Sequence, residues 1–76
     1  MRMDGEIQQL LKDIQRVGDP EESFVSFGEL FDDEKVANYY EALVGTLKAA
    51  KRKKLIEYEG QFLLKGMNDK VVISIL

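Results

Sequence analysis

Residues 32–54, DDEKVANYYEALVGTLKAAKRKK, carry the strongest structural signal in the chain. The apolar side chains of this segment recur at helical spacing and are expected to form one buried stripe: Val36, Ala37, Tyr40, Leu43, Val44, Leu47 and Ala50. The carboxylates at 32–34 and the ammonium groups at 51–54 suit the two ends of a helix dipole. The pattern predicts one long helix from Asp32 to the Lys51–Lys54 cluster.

Two shorter helices are predicted upstream. An apolar stripe with the spacing of an amphipathic helix precedes Gly18 and Pro20, which end it: Ile7, Leu10, Leu11, Ile14 and Val17. After an extended stretch at 23–25, Ser26 and Glu29 have the spacing of a capping box, which opens a brief helix through Phe31.

Downstream of the long segment the hydrophobic period changes. Residues 55–58 and 71–76 are rich in β-branched, aromatic and aliphatic side chains, with turn residues between them, so they are predicted to be antiparallel strands. Residues 62–64 suit either a middle strand or an apolar plug within a long loop. The predicted fold is a small α+β, winged-helix-like domain over residues 1–76, with three helices followed by a β-hairpin or short meander.

The composition excludes most catalytic chemistry. The 76 residues contain neither cysteine nor histidine, so disulfides, thiolate nucleophiles, imidazole bases and cysteine-ligated zinc sites are ruled out. Asp32-Asp33-Glu34 lack the spacing of a calcium loop and are better explained as helix-capping carboxylates. We expect no enzyme, no cofactor and no metal. No apolar run approaches the roughly 18 residues of a membrane span, and no signal peptide is evident, so a cytoplasmic protein with no membrane partner is expected.

The charges are separated along the chain. Residues 1–41 hold 4 basic and 11 acidic residues, whereas residues 42–76 hold 7 basic and 3 acidic ones. Five basic residues lie within 48–54, at the end of the predicted long helix. The outward face of that helix is predicted to bind a partner: Asn38, Glu41, Gly45, Lys48, Ala49 and Arg52.

Gly45 is the unusual member of that face, because a glycine inside an exposed helix costs about 1 kcal/mol relative to alanine. Two explanations are open. The small residues around it can allow a partner backbone to approach closely, with Lys48 and Arg52 at the border. Alternatively, Gly45 and the small residues around it pack against the first helix, and the basic residues are a solvated helix end.

A nucleic-acid partner is the alternative function, because a basic third helix in a winged-helix-like domain is placed to read DNA. The charge distribution argues against it. DNA-binding modules are usually strongly basic, whereas this chain carries a net charge of −3 and an acidic first half. The sequence therefore favours a protein partner over a nucleic acid.

The stretch 41–54, EALVGTLKAAKRKK, resembles the most distinctive part of the Costars family. The likeness extends over nearly the whole chain, through positions on both sides of this stretch: residues 27–31, Asp33, Lys35, Ala37, Asn38, Tyr58, Gly60, Leu63, Leu64 and Gly66.

The resemblance implies a small eukaryotic cytosolic protein, similar to the C-terminal actin-binding domain of the striated-muscle activator of Rho signalling. Such proteins are non-enzymatic modulators of the actin cytoskeleton. By this resemblance the expected partner is actin or an actin-associated protein. The chain looks like a free-standing relative, since only a few residues precede its first predicted helix. We expect a monomer. The family supplies no actin-binding residues that can be transferred, so the predicted site rests on the surface argument.

Overall fold

The structure is a computed structural model that describes residues 2–60 and 62–76. Helices and strands follow one another in this order: α1 (Arg2–Val17), β1 (Phe24–Ser26), α2 (Phe27–Asp32), α3 (Glu34–Tyr39), α4 (Leu43–Arg52), β2 (Ile56–Glu57) and β3 (Val72–Ile75). The predicted α+β class is confirmed. The winged-helix likeness stays a prediction.

The prediction of one long helix over 32–54 is wrong, because α3 and α4 are separated by a break at residues 40–42. The described part of the chain therefore holds four helices where three were predicted. Tyr40 follows α3 in an extended conformation, with φ −89° and ψ 134°. Helix α3 packs against α2, whereas α4 packs against α1 and β2. A single straight helix could not lie against both sets of neighbours.

Most residues of the predicted apolar stripe are buried, although the helix is broken. Its buried members lie on both sides of the break: Val36, Tyr40, Leu43, Leu47 and Ala50. Ala37, however, is exposed, and Val44 is half-buried. The hydrophobic period thus identified the buried residues even though the backbone between them is not continuous helix.

The two upstream helices form as the local signals predict. In α1, Ile7, Leu10 and Ile14 are buried against the rest of the core. At the start of α2, the Ser26 hydroxyl accepts from the Glu29 amide at 3.2 Å, and the Glu29 carboxylate accepts from the Ser26 amide at 3.4 Å. These reciprocal bonds are the predicted capping box.

The sheet has the strand order β1-β3-β2, and both pairings are antiparallel. Strand β3 is central: Val25 of β1 lies opposite Ile73, and Ile56 of β2 lies opposite Ile75. The antiparallel pairing predicted for the last two strands is confirmed, although both are shorter than the segments 55–58 and 71–76.

The connection between β2 and β3 settles the question about residues 62–64. These residues form no strand, and Leu63 is buried while Phe62 and Leu64 are exposed. The Leu64 amide donates to the Asn68 side-chain oxygen at 2.8 Å, which closes a turn. The segment is therefore an apolar plug carried by a loop.

A buried carboxylate connects α1 to the helix break. Asp13 is only 4% exposed, and its Oδ2 accepts from the Tyr40 hydroxyl at 2.8 Å. Its Oδ1 accepts from Gln9 at 3.2 Å and from the Arg16 guanidinium at 3.2 Å. Arg16 also donates to Asp33, the N-cap residue of α3, at 2.8 Å. Burial and the bond to Asp13 raise the pKa of the Tyr40 phenol, so it remains a donor.

Replacing Tyr40 with phenylalanine should destabilise the domain. The Tyr40→Phe variant keeps the ring but leaves the buried Asp13 Oδ2 without its donor, which costs about 1–3 kcal/mol. Tyr39→Phe is the matched control, because Tyr39 is 50% exposed. Urea unfolding of both variants measures the difference. Equal free energies of unfolding for Tyr40→Phe and wild type would show that the bond contributes nothing.

The Arg16–Asp33 contact should make stability depend on pH in the acid range. The hydrogen bond from Arg16 lowers the pKa of Asp33, assisted by the Val36 amide. A lowered folded-state pKa stabilises the protein above the ordinary pKa of the carboxyl, and this stabilisation is lost as the pH falls through the folded-state value.

The Asp33→Asn variant isolates this charge, because asparagine caps helices as well as aspartate does. We expect wild type to be more stable than Asp33→Asn at neutral pH. This difference in stability should shrink as the pH falls below about 4. Thermal melts at a series of pH values measure it. A difference that is the same at neutral pH and at the acid end of the series would contradict the assignment.

Candidate partner-binding site

One side of helix α4 packs against the core, and the other side faces solvent. Its inward residues are fully or nearly fully buried: Leu43, Thr46, Leu47 and Ala50. Thr46 fixes the helix on α1, because its hydroxyl donates to the Glu6 carboxylate at 2.9 Å. Gly45, Lys48 and Arg52 are exposed on the outward side. These three follow the spacing of one helical face, so they form a continuous surface.

Gly45 lies on open surface and is not packed against α1. A Cβ atom placed on Gly45 would meet only the Cβ of Ala42, at the ordinary contact distance of 3.7 Å. The fold would therefore accept a side chain at this position. Intramolecular packing does not explain the glycine.

The basic residues at the end of α4 differ in what they bind. The Lys51 ammonium donates to the carbonyl oxygens of Tyr58 and Gly60 at 2.6 and 2.8 Å, and lies 4.2 Å from the centre of the Tyr58 ring. Burial raises the pKa of that phenol, so it stays neutral beside the cation. Lys51 thus ties the loop after β2 to α4. It is a structural residue.

Lys48 and Arg52 remain available to a partner. The Lys48 ammonium lies 5.0 Å from the centre of the Phe62 ring, a side chain that is 66% exposed. Within the described residues, the Arg52 guanidinium makes no hydrogen bond or ion pair. With Lys51, Tyr58 and Gly60, these two residues line a shallow concavity of about 270 Å³. Its cationic rim suits an anionic group.

Helix α4 ends in a Schellman motif that holds the basic cluster in place. The Leu55 amide donates to the Ala50 carbonyl at 3.0 Å, and the Lys54 amide to the Lys51 carbonyl at 2.9 Å. Lys54 has a φ of 63°, in the left-handed region that glycine usually occupies there. The chain therefore turns sharply after α4, and the basic cluster stands at a defined corner of the domain.

An apolar groove opens where α3 and α4 separate. It has a volume of about 360 Å³ and is lined by residues from α2, α3, the break and α4: Phe31, Val36, Ala37, Tyr40, Glu41, Ala42, Leu43 and Val44. Phe31 is held from one side by an edge-on contact with Phe27, at a ring separation of 5.6 Å. It is nevertheless 39% exposed. The groove thus presents apolar surface to solvent.

The structure brings together four of the six predicted site residues. Gly45, Lys48, Ala49 and Arg52 share α4, although Ala49 is half-buried and packs partly against the core. Glu41 lies in the break and lines the groove. Asn38 is exposed on α3 and lies outside the groove lining, so one helical face does not join it to the others.

Sequence reasoning missed the groove and the exposed Phe62. The groove exists only because the helix breaks. The available signal was the run Asn38-Tyr39-Tyr40, three consecutive residues of modest helix propensity in an otherwise strong helical pattern. Such a run permits a break but does not require one.

Within residues 5–60 and 62–76, whose side chains the structure describes, no three carboxylate groups are placed to hold a metal ion. No helix in the same part of the chain is long and apolar enough to cross a bilayer.

Comparison with solved structures finds one with the same fold. The solution structure of the human HSPC280 protein superposes with a TM-score of 0.85 at 47% sequence identity, and the match covers 100% of this chain and 93% of that one.

Curated relatives come from animals and plants. The Costars family protein ABRACL of Bos taurus is 49% identical over 79 residues, covering 100% of this chain and 98% of its own length. A Costars family protein of Arabidopsis thaliana is 47% identical over 78 residues, covering 99% of this chain and 82% of its own length. Neither name describes an enzymatic activity. The Costars family model matches residues 2–76, and the chain therefore belongs to the Costars family.

Proposed function

We propose that this protein is a non-enzymatic interaction domain that binds actin, or an actin-associated protein, through the outward face of α4. The observation that carries the proposal is the exposed surface of Gly45, Lys48 and Arg52, which the fold itself does not require. The likeness to actin-directed Costars domains supplies the partner class. The absence of histidine and cysteine from the sequence agrees with a binding role.

The chemistry of this face suits an acidic protein surface. Lys48 and Arg52 are four residues apart on one helix, so their charges add over the same patch. Acidic residues dominate the first half of the chain and would repel a phosphate backbone approaching from that side. A compact acidic patch on a protein partner avoids this repulsion, whereas an extended duplex does not. Like the expected actin regulators, the protein would act in the cytoplasm as a monomer.

Reversing the two charges should weaken binding in a salt-dependent way. Charges on exposed side chains are screened beyond about 8 Å at physiological ionic strength. The double variant Lys48→Glu, Arg52→Glu should therefore bind filamentous actin much more weakly than wild type at low salt, with a smaller difference at high salt. Cosedimentation over a salt series measures this. Sedimentation velocity with monomeric actin covers the case in which the monomer is the partner.

The matched control is Lys12→Glu, Lys35→Glu, which changes the net charge equally at two exposed positions away from α4. This control should bind like wild type. Equal weakening of both double variants would show that only net charge matters. Salt-sensitive binding of duplex DNA by wild type, lost on reversal of Lys48 and Arg52 and without actin binding, would overturn the proposal in favour of a nucleic-acid module.

Bulk at Gly45 should weaken binding at every salt concentration. The Gly45→Leu variant places a branched side chain where close approach is proposed, while the open position lets the domain fold. Gly45→Ala is the matched control and should raise stability by up to about 1 kcal/mol, because alanine favours helix over glycine. Circular dichroism melts and cosedimentation test both variants. Wild-type binding by Gly45→Leu would remove α4 from the interface.

A further inference from the structure

The groove at the α3–α4 break lies next to the outward face of α4, at the first turn of that helix. Val44 forms part of its wall, and Gly45 is the next residue along the helix. At 1.5 Å per residue, Lys48 and Arg52 stand about 6 Å and 12 Å beyond Val44 along the helix axis. The surface therefore has an apolar end, a flat middle at Gly45 and a cationic end.

We propose that this surface binds an amphipathic helical segment of a partner protein. Its apolar side chains fill the groove, and its acidic side chains lie over Lys48 and Arg52. The inference deepens the proposed function, because it assigns a chemistry to the partner segment that docks on α4. It depends on that function only in taking the partner to be a protein bound at this face.

The size and lining of the groove fit side chains of a helix. Its volume of about 360 Å³ is at the small end of ligand pockets, which range over roughly 300–1,000 Å³. A helix presents apolar anchors three or four residues apart on one face, and such anchors fill a groove of this kind. Phe31 offers an exposed aromatic surface to them. Gly45 then allows the partner backbone to lie close to α4.

Charge sets the direction of the bound segment. Lys48 and Arg52 place cations on the outward face of α4, one and two turns beyond Val44 in the groove wall. The Phe62 ring, 5.0 Å from the Lys48 ammonium, holds that cation over the surface. A segment with its acidic side chains one and two turns beyond its apolar anchors matches this polarity. The reversed orientation would take the acidic side chains away from both cations.

A pair of synthetic peptides tests the inference. The first is an amphipathic peptide of about 14 residues, long enough to hold some helix, with leucine and phenylalanine anchors four residues apart and glutamates one and two turns further on. The second has lysines in place of the glutamates. Amide chemical shifts of the labelled protein report binding. We expect the first peptide to shift Phe31, Ala37, Val44, Lys48 and Arg52, and the second to bind about tenfold more weakly.

Two protein variants show whether the groove itself binds. Ala37 is exposed and lines the groove, so Ala37→Glu adds bulk and charge there without disturbing the core. Gln8→Glu makes the same charge change at an exposed position of α1 outside the lining. The first peptide should lose its affinity for Ala37→Glu and keep it for Gln8→Glu. The inference is overturned by any of three results: no shifts in the groove at millimolar peptide, equal affinity for both peptides, or unchanged binding to Ala37→Glu.

Cosedimentation of the wild-type protein with filamentous actin, alongside the peptide titrations, separates this inference from the proposed function. If the wild-type protein pellets with actin but neither peptide shifts its groove amides, the proposed function stands and the groove inference is wrong. The opposite result is also informative. If the wild-type protein binds the glutamate peptide more tightly than the lysine peptide, and neither pellets with actin nor associates with its monomer, the groove inference is supported and actin is removed as the partner.

Discussion

The architecture depends on one buried carboxylate. Asp13 lies in the core with donors from three side chains, and of these only Tyr40 comes from outside α1. Leaving a buried polar group unpaired costs more than a typical hydrogen bond contributes. The Asp13–Tyr40 bond therefore fixes how α1 meets the α3–α4 segment. Arg16 extends the connection to Asp33, at the start of α3, so both ends of α3 are tied to the same helix.

The proposed docking surface follows from this arrangement. Tyr40 turns towards Asp13, and the chain leaves the helical path before α4 begins. Helix α4 can then pack on α1 and β2, with Thr46 bonded to Glu6, instead of continuing the direction of α3. The separation of the two helices exposes apolar surface between Phe31 and Val44. The groove thus opens at the break where Tyr40 bonds Asp13, beside the cationic face.

Local signals were sufficient for the elements whose determinants are close in sequence. The α1 stripe, the Ser26–Glu29 capping box and the antiparallel final strands could all be predicted from the sequence. The helix break could not, since its partners are distant: Tyr40 bonds Asp13 across 27 residues, and Thr46 bonds Glu6 across 40. The spacing of Val36, Tyr40 and Leu43 also fits an unbroken helix. Periodicity identifies which residues are buried but cannot show that two halves of one stripe face different neighbours.

The glycines differ in whether the fold requires them. Gly18 and Gly28 are explained by packing, since a Cβ on either would clash with the backbone or side chain of a neighbouring segment. Gly5 is open, but it lies near the start of α1, where helix ends fray and a glycine costs less. Gly45 is open as well, and it lies inside α4, where the cost is about 1 kcal/mol. Because the fold would accept alanine there, Gly45 is the glycine for which the proposed close approach of a partner supplies a reason that the fold does not.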